Sequence, residues 1–378
     1  MGVFQKQEAY LGVDLGAHGI KLVELKKVKN RPHIWTYGLL NKKLDVHAPQ
    51  KKHKKAVKYF DYEQKDANKE GDKGADKVFQ DERVEVYAAL LKKVLKDARV
   101  TANRATASLP VSEIFHTLIT LPKVDKKDLK HHVHAKVKKL LPLPIDEMQI
   151  VFQIFPDSEE KRDYLQILVT AAPKSLVVLY SKIFQKAGII LDELETEAFA
   201  LERALVGRDS VASLVIDMGS ERSNFFVIKN SLPITHRSIK IGGNNFDAHL
   251  AQVLGVSHDH AEQIKIDLAS GTVDRRIESS LFSALLEPVV KEIQYSIDVY
   301  KSQVRDNSTD RGIEKIILTG GVAFFPPFMD YLKQKFPLTV FIGDPWARVV
   351  YQQGLKTVLD NLGPRMAVSV GLAMRNLV

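Results

Sequence analysis

Two segments of the chain, Leu11-Gly12-Val13-Asp14-Leu15-Gly16 and Leu214-Val215-Ile216-Asp217-Met218-Gly219, repeat one pattern at an offset of 203 residues. In each, an apolar run ends in Asp-x-Gly, a polar turn follows, and a second apolar run closes on a lysine, Lys26 in one copy and Lys229 in the other. The chemistry suited to such a turn is anion binding. Glycine lets backbone N–H groups approach phosphate oxygens, and an adjacent carboxylate can hold magnesium among waters and phosphate oxygens. On that reasoning Asp14, Gly16, Ala17, His18 and Lys21 form one phosphate turn and Gly219, Ser220 and Asn224 a second, with Asp14 and Asp217 as magnesium ligands through water. One Asp-x-Gly alone is usually only a bend in a strand turn, but a matched pair is much less easily accidental.

Two facing turns clamp a polyphosphate only if two lobes form a cleft between them. A third element fits that cleft: the apolar run Ile317-Leu318-Thr319 ends in Gly320-Gly321-Val322, where absent side chains let a flat base and ribose lie against the backbone. By itself this would read as an ordinary strand-to-helix turn. Two further features support it. Gly242 and Gly243 open a helix whose amides are placed to face a terminal phosphate, and Glu262 and Lys265 stand one helical turn apart, spaced to hold a ribose or base edge.

Alternating strand and helix patterns in both halves predict an α/β fold. Strands are expected at 10–13, 20–25 and 33–39, and a second hairpin from Leu214. Helices are expected over 84–100, 174–187, 197–205, 244–254, 258–266, 279–305 and 328–336, with a closing helix over 368–376. Between 105 and 169 a unit of four strands and one helix reads as an inserted subdomain. Its helix starts at Asp125, carries Leu129, Val133, Val137, Leu140 and Leu141 on one face and Lys126, Lys127, Lys130, Lys136, Lys138 and Lys139 on the other, and stops at Pro142 and Pro144. That lysine face is either simply solvated or meets acidic lipid head groups or an acidic partner. His131, His132 and His134 lack a suitably placed further ligand for a metal. From about 41 to 85 the chain is charged and poor in apolar residues, and reads as an insertion.

Composition bounds the function. The absence of cysteine excludes disulfides, thiolate metal sites and cysteine nucleophiles. A net charge of +9 calls for an acidic partner, but the basic clusters at Lys42–Lys58 and Lys123–Lys139 are not interleaved with stacking aromatics, so nucleic acid is not the expected one. No apolar run is long enough for a membrane span, and the N-terminus carries no signal-peptide pattern, which together predict a cytoplasmic protein.

These residues resemble the actin, DnaK-type chaperone and sugar-kinase superfamily, and within it the type IV pilus PilM family, related to the cell-division protein FtsA. The resemblance rests on Leu11–Leu25, Leu140-Leu141-Pro142-Leu143-Pro144-Ile145-Asp146-Glu147, Leu194–Leu205, Leu214–Gly243 with Glu262 and Lys265, Leu318–Gly321 and Gly343-Asp344-Pro345-Trp346. It implies an actin-like, ribonuclease H-like duplicated, two-lobed ATPase fold. Residues 1–104 and 170–207, closed by 341–378, would form the first lobe, 105–169 an FtsA/PilM-type (SHS2) subdomain, and 208–340 the second lobe, with 256–311 its helical part. It implies ATP or ADP with magnesium as cofactors, Glu197 as the residue orienting an attacking water, and Asp217 as a second catalytic carboxylate. The implied partner is the N-terminal cytoplasmic peptide of a PilN-like inner-membrane protein, placing the chain at the inner face of the cytoplasmic membrane, with other platform components or self-association beside it. The first turn has Ala17 and His18 where the family offers serine, and the second carries Glu221, a carboxylate repulsive to phosphate; weak or no ATP hydrolysis is expected. The alternatives are an FtsA-like division or filament-forming ATPase, and a small-molecule kinase of the same superfamily.

Overall fold

The computed structural model describes residues 8–44, 81–155, 164–270, 278–303 and 311–377. Most of the charged insertion expected from about 41 to 85 lies outside the described residues.

Two five-stranded sheets carry the fold, and they are copies of one topology. The first has the order β3-β2-β1-β4-β8, from β1 (Ala9–Gly16), β2 (Gly19–Val28), β3 (Arg31–Asn41), β4 (Arg104–Leu109) and β8 (Ile190–Thr196). The second has the order β11-β10-β9-β12-β13, from β9 (Ala212–Met218), β10 (Ser223–Lys229), β11 (Leu232–Ile239), β12 (Ile313–Gly320) and β13 (Thr339–Ile342). In each, an antiparallel meander of three strands is extended by two parallel strands. The third strand of the second meander, β11, has no counterpart in the sequence-level reading, which stopped at a hairpin.

Both sheets are buried on both faces, which is why their central strands are apolar without alternation. Helices α1 (Glu82–Asp97) and α3 (Lys174–Ala187) cover one face of the first sheet, packing Leu91, Val94, Ile183 and Phe184 on Val13, Leu15 and Leu22. Helices α5 (Gly243–Leu254), α7 (Ser283–Gln303) and α8 (Pro326–Lys335) cover the outer face of the second, through Phe246, Leu286 and Phe328. Short α4 (Glu197–Leu201) and long α9 (Lys356–Ala373) fill the space between the sheets. Helix α9 presents Met366 and Val370, with Met374 just past its end, to Val23 and Leu25 of the first sheet, and Ala367, Val368 and Leu372 to Val215, Phe226 and Ile317 of the second.

Helix α9 corrects the sequence-level expectation, which began it at Val368, twelve residues late. Gly363-Pro364 reads as a stop, and the part of the helix from Gly363 on is buried nearly all round and shows no amphipathic period. Proline is tolerated because Asp360, whose carbonyl loses its bond, is exposed to water. The helix approaches so closely that a Cβ on Gly12 would stand 2.1 Å from the Ser369 carbonyl oxygen, and one on Gly371 would stand 1.8 Å from that of Ala200.

A third, three-stranded antiparallel sheet, β5-β7-β6, comprises β5 (Phe115–Pro122), β6 (Met148–Ile154) and β7 (Tyr164–Pro173). Helix α2 (Lys126–Val137) packs Leu129, Val133 and Val137 onto Ile119, Leu121, Ile167 and Val169. It ends well before the prolines expected to stop it, and Leu140 is 48% exposed rather than continuing the buried face. Past Val137 the chain tightens into turns, with the Leu140 and Leu141 amides both donating to the Val137 carbonyl, before Pro142 turns it away. After α5, helix α6 (His258–Ser270) runs four residues beyond the expected Ile266. No helix among the described residues is long and apolar enough to cross a membrane.

Candidate functional site

The two Asp-x-Gly turns and the end of β12 converge on one cleft between the sheets, with a volume of about 470 Å³. Strand register explains how. Asp14 stands across from Lys21 in the β1–β2 pair, and Asp217 across from Asn224 in the β9–β10 pair, so each carboxylate shares a sheet face with its partner. These positions are equivalent under the internal repeat, and the duplication is therefore asymmetric: a lysine faces one aspartate and an amide faces the other.

The asymmetry sets the electrostatics. Lys21 Nζ donates to Asp14 Oδ2 at 2.7 Å, and Ser108 Oγ donates to Asp14 Oδ1 at 3.2 Å, so buried Asp14 is engaged at both oxygens. Burial would lower the Lys21 pKa, but the charge and hydrogen bond of Asp14, with the charge of Asp217, hold it above the ordinary lysine value. No side chain among the described residues hydrogen-bonds Asp217. Burial pushes its carboxyl up to about 6, against the attraction of Lys21 and with the repulsion of Asp14. Glu197, at the start of α4, accepts from the Val111 amide at 3.3 Å and from Asn224 Nδ2 at 3.2 Å, which ties the β4 end of the first sheet to β10 of the second. Burial, followed by Asp14 and Asp217, drives its pKa well above the ordinary glutamate value.

Backbone shape is as specific as charge. Gly320 adopts φ +87°, and a Cβ there would stand 2.3 Å from the Met218 carbonyl oxygen and 2.6 Å from Asp217 Oδ1. Next to it, a Cβ on Gly321 would meet nothing within 4 Å, so that backbone borders open space. On Gly16 a Cβ would come within 3.3 Å of Lys21 Nζ, and on Gly243 within 3.3 Å of Lys265 Nζ. Bare glycine thus leaves both ammonium groups approachable from the cleft.

All the residues nominated from sequence line this cleft except Gly242. Gly242 lies behind it, where a Cβ would stand 2.6 Å from the Ser220 carbonyl oxygen. The expectation that the first amides of α5 face a terminal phosphate is also corrected. The Gly243 amide donates to Gly219 O and the Asn244 amide to Ser220 O, each at 2.8 Å, so these donors staple the second turn in place. Turn carbonyls captured them because a helix start always leaves amides without intrahelical partners. Glu262 and Lys265 do share a cleft-facing side of α6, but Lys265 is already engaged, its Nζ 2.7 Å from the Asp247 carboxylate, whereas Glu262 comes only to 3.9 Å from His18 Nε2 across the cleft.

Sequence reading missed Ser108, Asp247 and Arg365. Asp247 follows the diglycine on α5 and was findable as the acidic partner of Lys265. Arg365 follows Pro364 and belonged to a stretch not recognised as helix; it donates to Asn41 Oδ1 at 2.6 Å, and burial lowers its pKa against the attraction of Glu262. Among the described residues no cluster of three histidine, aspartate or glutamate side chains forms a ready cage for a metal.

The arrangement suits an anionic ligand accompanied by a cation. Lys21, Lys265, Arg222 and Arg365 line the cleft together with Asp14, Asp217, Glu197, Glu221, Asp247 and Glu262, so a bare polyphosphate would meet more carboxylates than cations. A magnesium ion would offset that excess, and among the described residues Asp217, a central carboxylate with no side-chain hydrogen-bond donor, is the group that could face it.

Comparison with known proteins agrees with this geometry. A solved PilM-PilN type IV pilus biogenesis complex contains a chain that superposes with a TM-score of 0.75 at 20% identity, covering 98% of both chains. The ethanolamine utilization protein EutJ from Carboxydothermus hydrogenoformans superposes with a TM-score of 0.50 at 14% identity, covering 98% of this chain and 91% of the other. The fold is therefore the actin-like, two-lobed α/β fold with an inserted subdomain. Among sequence relatives, the cell division protein FtsA of Enterococcus faecalis (strain ATCC 700802 / V583) is 25% identical over 191 residues, 46% of this chain and 43% of that protein. FtsA of Borreliella burgdorferi (strain ATCC 35210 / DSM 4680 / CIP 102532 / B31) is 23% identical over 285 residues, 67% of each. The chain thus spans less than half the length of the Enterococcus relative. The family model of the type IV pilus assembly protein PilM matches residues 72–377, everything described from α1 onward but not β1–β3 with the Asp14 turn, and the chain belongs to that family.

Proposed function

We propose that this chain is a nucleotide-responsive scaffold of the type IV pilus assembly platform, working at the inner face of the cytoplasmic membrane. The observation that carries the reading is the convergence of two equivalent Asp-x-Gly turns and the Gly320-Gly321 strand end on one cleft, in a chain of the PilM family. Gly16, Lys21 and the turn after Gly219 take the phosphates of ATP or ADP. The open backbone at Gly321 takes the base, Glu262 and Lys265 border the ribose, and Asp217 faces magnesium. The nucleotide bridges elements of both sheets, so its binding biases the lobes toward a closed state.

Turnover is secondary in this reading. In the unliganded cleft Glu197 is a poor base, because burial and the two aspartates favour its protonated form. A solved complex pairs PilM with PilN, and we extend that pairing to this chain as its membrane-anchored partner. Titration of the full chain with a fluorescent ADP analogue, with and without magnesium, tests the nucleotide. Saturable binding strengthened by magnesium is expected, and no binding in either condition refutes it. Pull-down with the N-terminal peptide of a PilN-like protein tests the partner, and failure to retain it removes the pilus-platform role. The FtsA relatives favour one second reading, a filament-forming ATPase. Sedimentation of polymer with ATP and magnesium would establish it.

A further inference from the structure

The lysine face of α2 plays no part in the cleft. Leu129, Val133 and Val137 lock the helix onto the β5-β7-β6 sheet, so the opposite side is held outward in one orientation. Between Lys123 and Lys139 stand seven lysines against two aspartates. Lys126, Lys130, Lys138 and Lys139 are exposed, and among the described residues none has an ion-pair or hydrogen-bond partner; Lys136 instead donates to the Thr120 carbonyl. Lys127 pairs only loosely with Asp125, at 3.7 Å, with both side chains about three-quarters exposed. Asp128 is the other carboxylate on the helix. Just past its C-terminal end, Leu140 and Leu143 are 48% and 41% exposed beside Pro142 and Pro144.

From this arrangement we propose that the α2 face docks the protein directly on an anionic lipid surface, with the lysines against the head groups and Leu140 and Leu143 entering the interfacial layer. Charge complementarity selects the occupant. An acidic protein partner is ordinarily gripped by arginine and aromatic anchors in a desolvated centre, and nucleic acid by stacking aromatics; this face has neither. Lysine, a compact hydrated point charge, needs no fixed geometry in its counter-ion, and each lysine near an anionic leaflet contributes about fivefold to partitioning. Leu140 and Leu143 add apolar area beside the patch, and interfacial binding grows with buried apolar area and with attraction to anionic lipid together. The proposal does not depend on nucleotide or on a peptide partner.

Flotation of the full chain with vesicles of phosphatidylcholine alone, or mixed with phosphatidylglycerol, tests it. Binding is expected on the mixed vesicles only, and is released as salt shortens the screening length from about 10 Å at 0.1 M. The triple variant Lys127→Gln/Lys130→Gln/Lys138→Gln should lower partitioning roughly 100-fold, as three steps of about fivefold, with an unchanged melting temperature because these side chains are exposed. Leu143→Ser should weaken binding while leaving its salt dependence intact. Equal binding to both vesicle types overturns the proposal, as does a triple variant that binds like the parent. A parent chain that ignores the mixed vesicles but is retained by polyglutamate overturns it in favour of an acidic protein surface.

Discussion

Replacing Lys21 by methionine tests the central pair of the cleft. The substitution keeps the length of the side chain and removes the ammonium that lies 2.7 Å from Asp14 Oδ2. Asp14 is 5% exposed, so it becomes a buried carboxylate held only by Ser108 Oγ, with Asp217 repelling it. Breaking one partner of a buried pair costs about 3–5 kcal/mol; the remaining serine bond and the partial exposure of Lys21 place this case near the lower end, at about 3 kcal/mol. In Asp14→Asn/Lys21→Met the unpaired charge is gone, so the double variant should be more stable than Lys21→Met alone, with a coupling energy of about 2 kcal/mol. Urea denaturation of the four chains at neutral pH measures this. Strictly additive losses would show that the two groups do not interact and refute the assignment of Lys21 as the counter-ion of Asp14. The same variant should lose about 10- to 100-fold in ADP affinity, since a charged hydrogen bond to phosphate contributes about 1.5–3 kcal/mol, whereas unchanged affinity would take Lys21 out of the phosphate site.

Neighbouring glycines should separate structure from binding. Gly320→Ala places a methyl against the Met218 carbonyl at φ +87° and should cost about 3 kcal/mol from strain and displacement of Asp217, while Gly321→Ala, bordering open space, should leave stability nearly unchanged and weaken nucleotide binding; thermal melts with and without ADP distinguish them. Glu197→Gln should stabilise the unliganded protein at neutral pH. The raised folded pKa means that the native state holds a proton the unfolded chain releases, so wild-type stability declines as pH rises above the ordinary glutamate value, and the gain of the variant should grow with pH. At the contact of β5 with β11, the His116 and His236 rings are 5.0 Å apart, with burial the main cause holding their pKa values down at about 4 and about 3. Both should stay neutral in the native state while the unfolded chain protonates them, so stability falls as pH drops from 6.5 toward 4, at about 1.4 kcal/mol per pH unit for each ring. His236→Phe should flatten that slope, and an unchanged pH profile would refute the assignment.

Much of this protein was legible in its sequence because the local signals were strong. Paired Asp-x-Gly hairpins, the diglycine after Leu318-Thr319 and the helix ending at Gly188 depend on residues close in the chain, where backbone preference and periodicity act directly. The equivalence of Asp14 with Asp217, and of Lys21 with Asn224, is already present in the offset of 203 residues. Other features were decided only by tertiary structure. Helix α9 continues across Gly363-Pro364 because two sheets bury its C-terminal part from opposite sides, and no sequence period marks a stretch without a solvent face. The amides at the start of α5 turn to the second loop, not to a ligand, because carbonyls of Gly219 and Ser220 arrive there from β9, more than twenty residues earlier. Which aspartate pairs with Lys21, which has no side-chain hydrogen-bond donor, and why the Glu197 pKa is raised depend on burial and on distances between groups up to about 200 residues apart in the chain, and those exist only once the lobes have packed on one another.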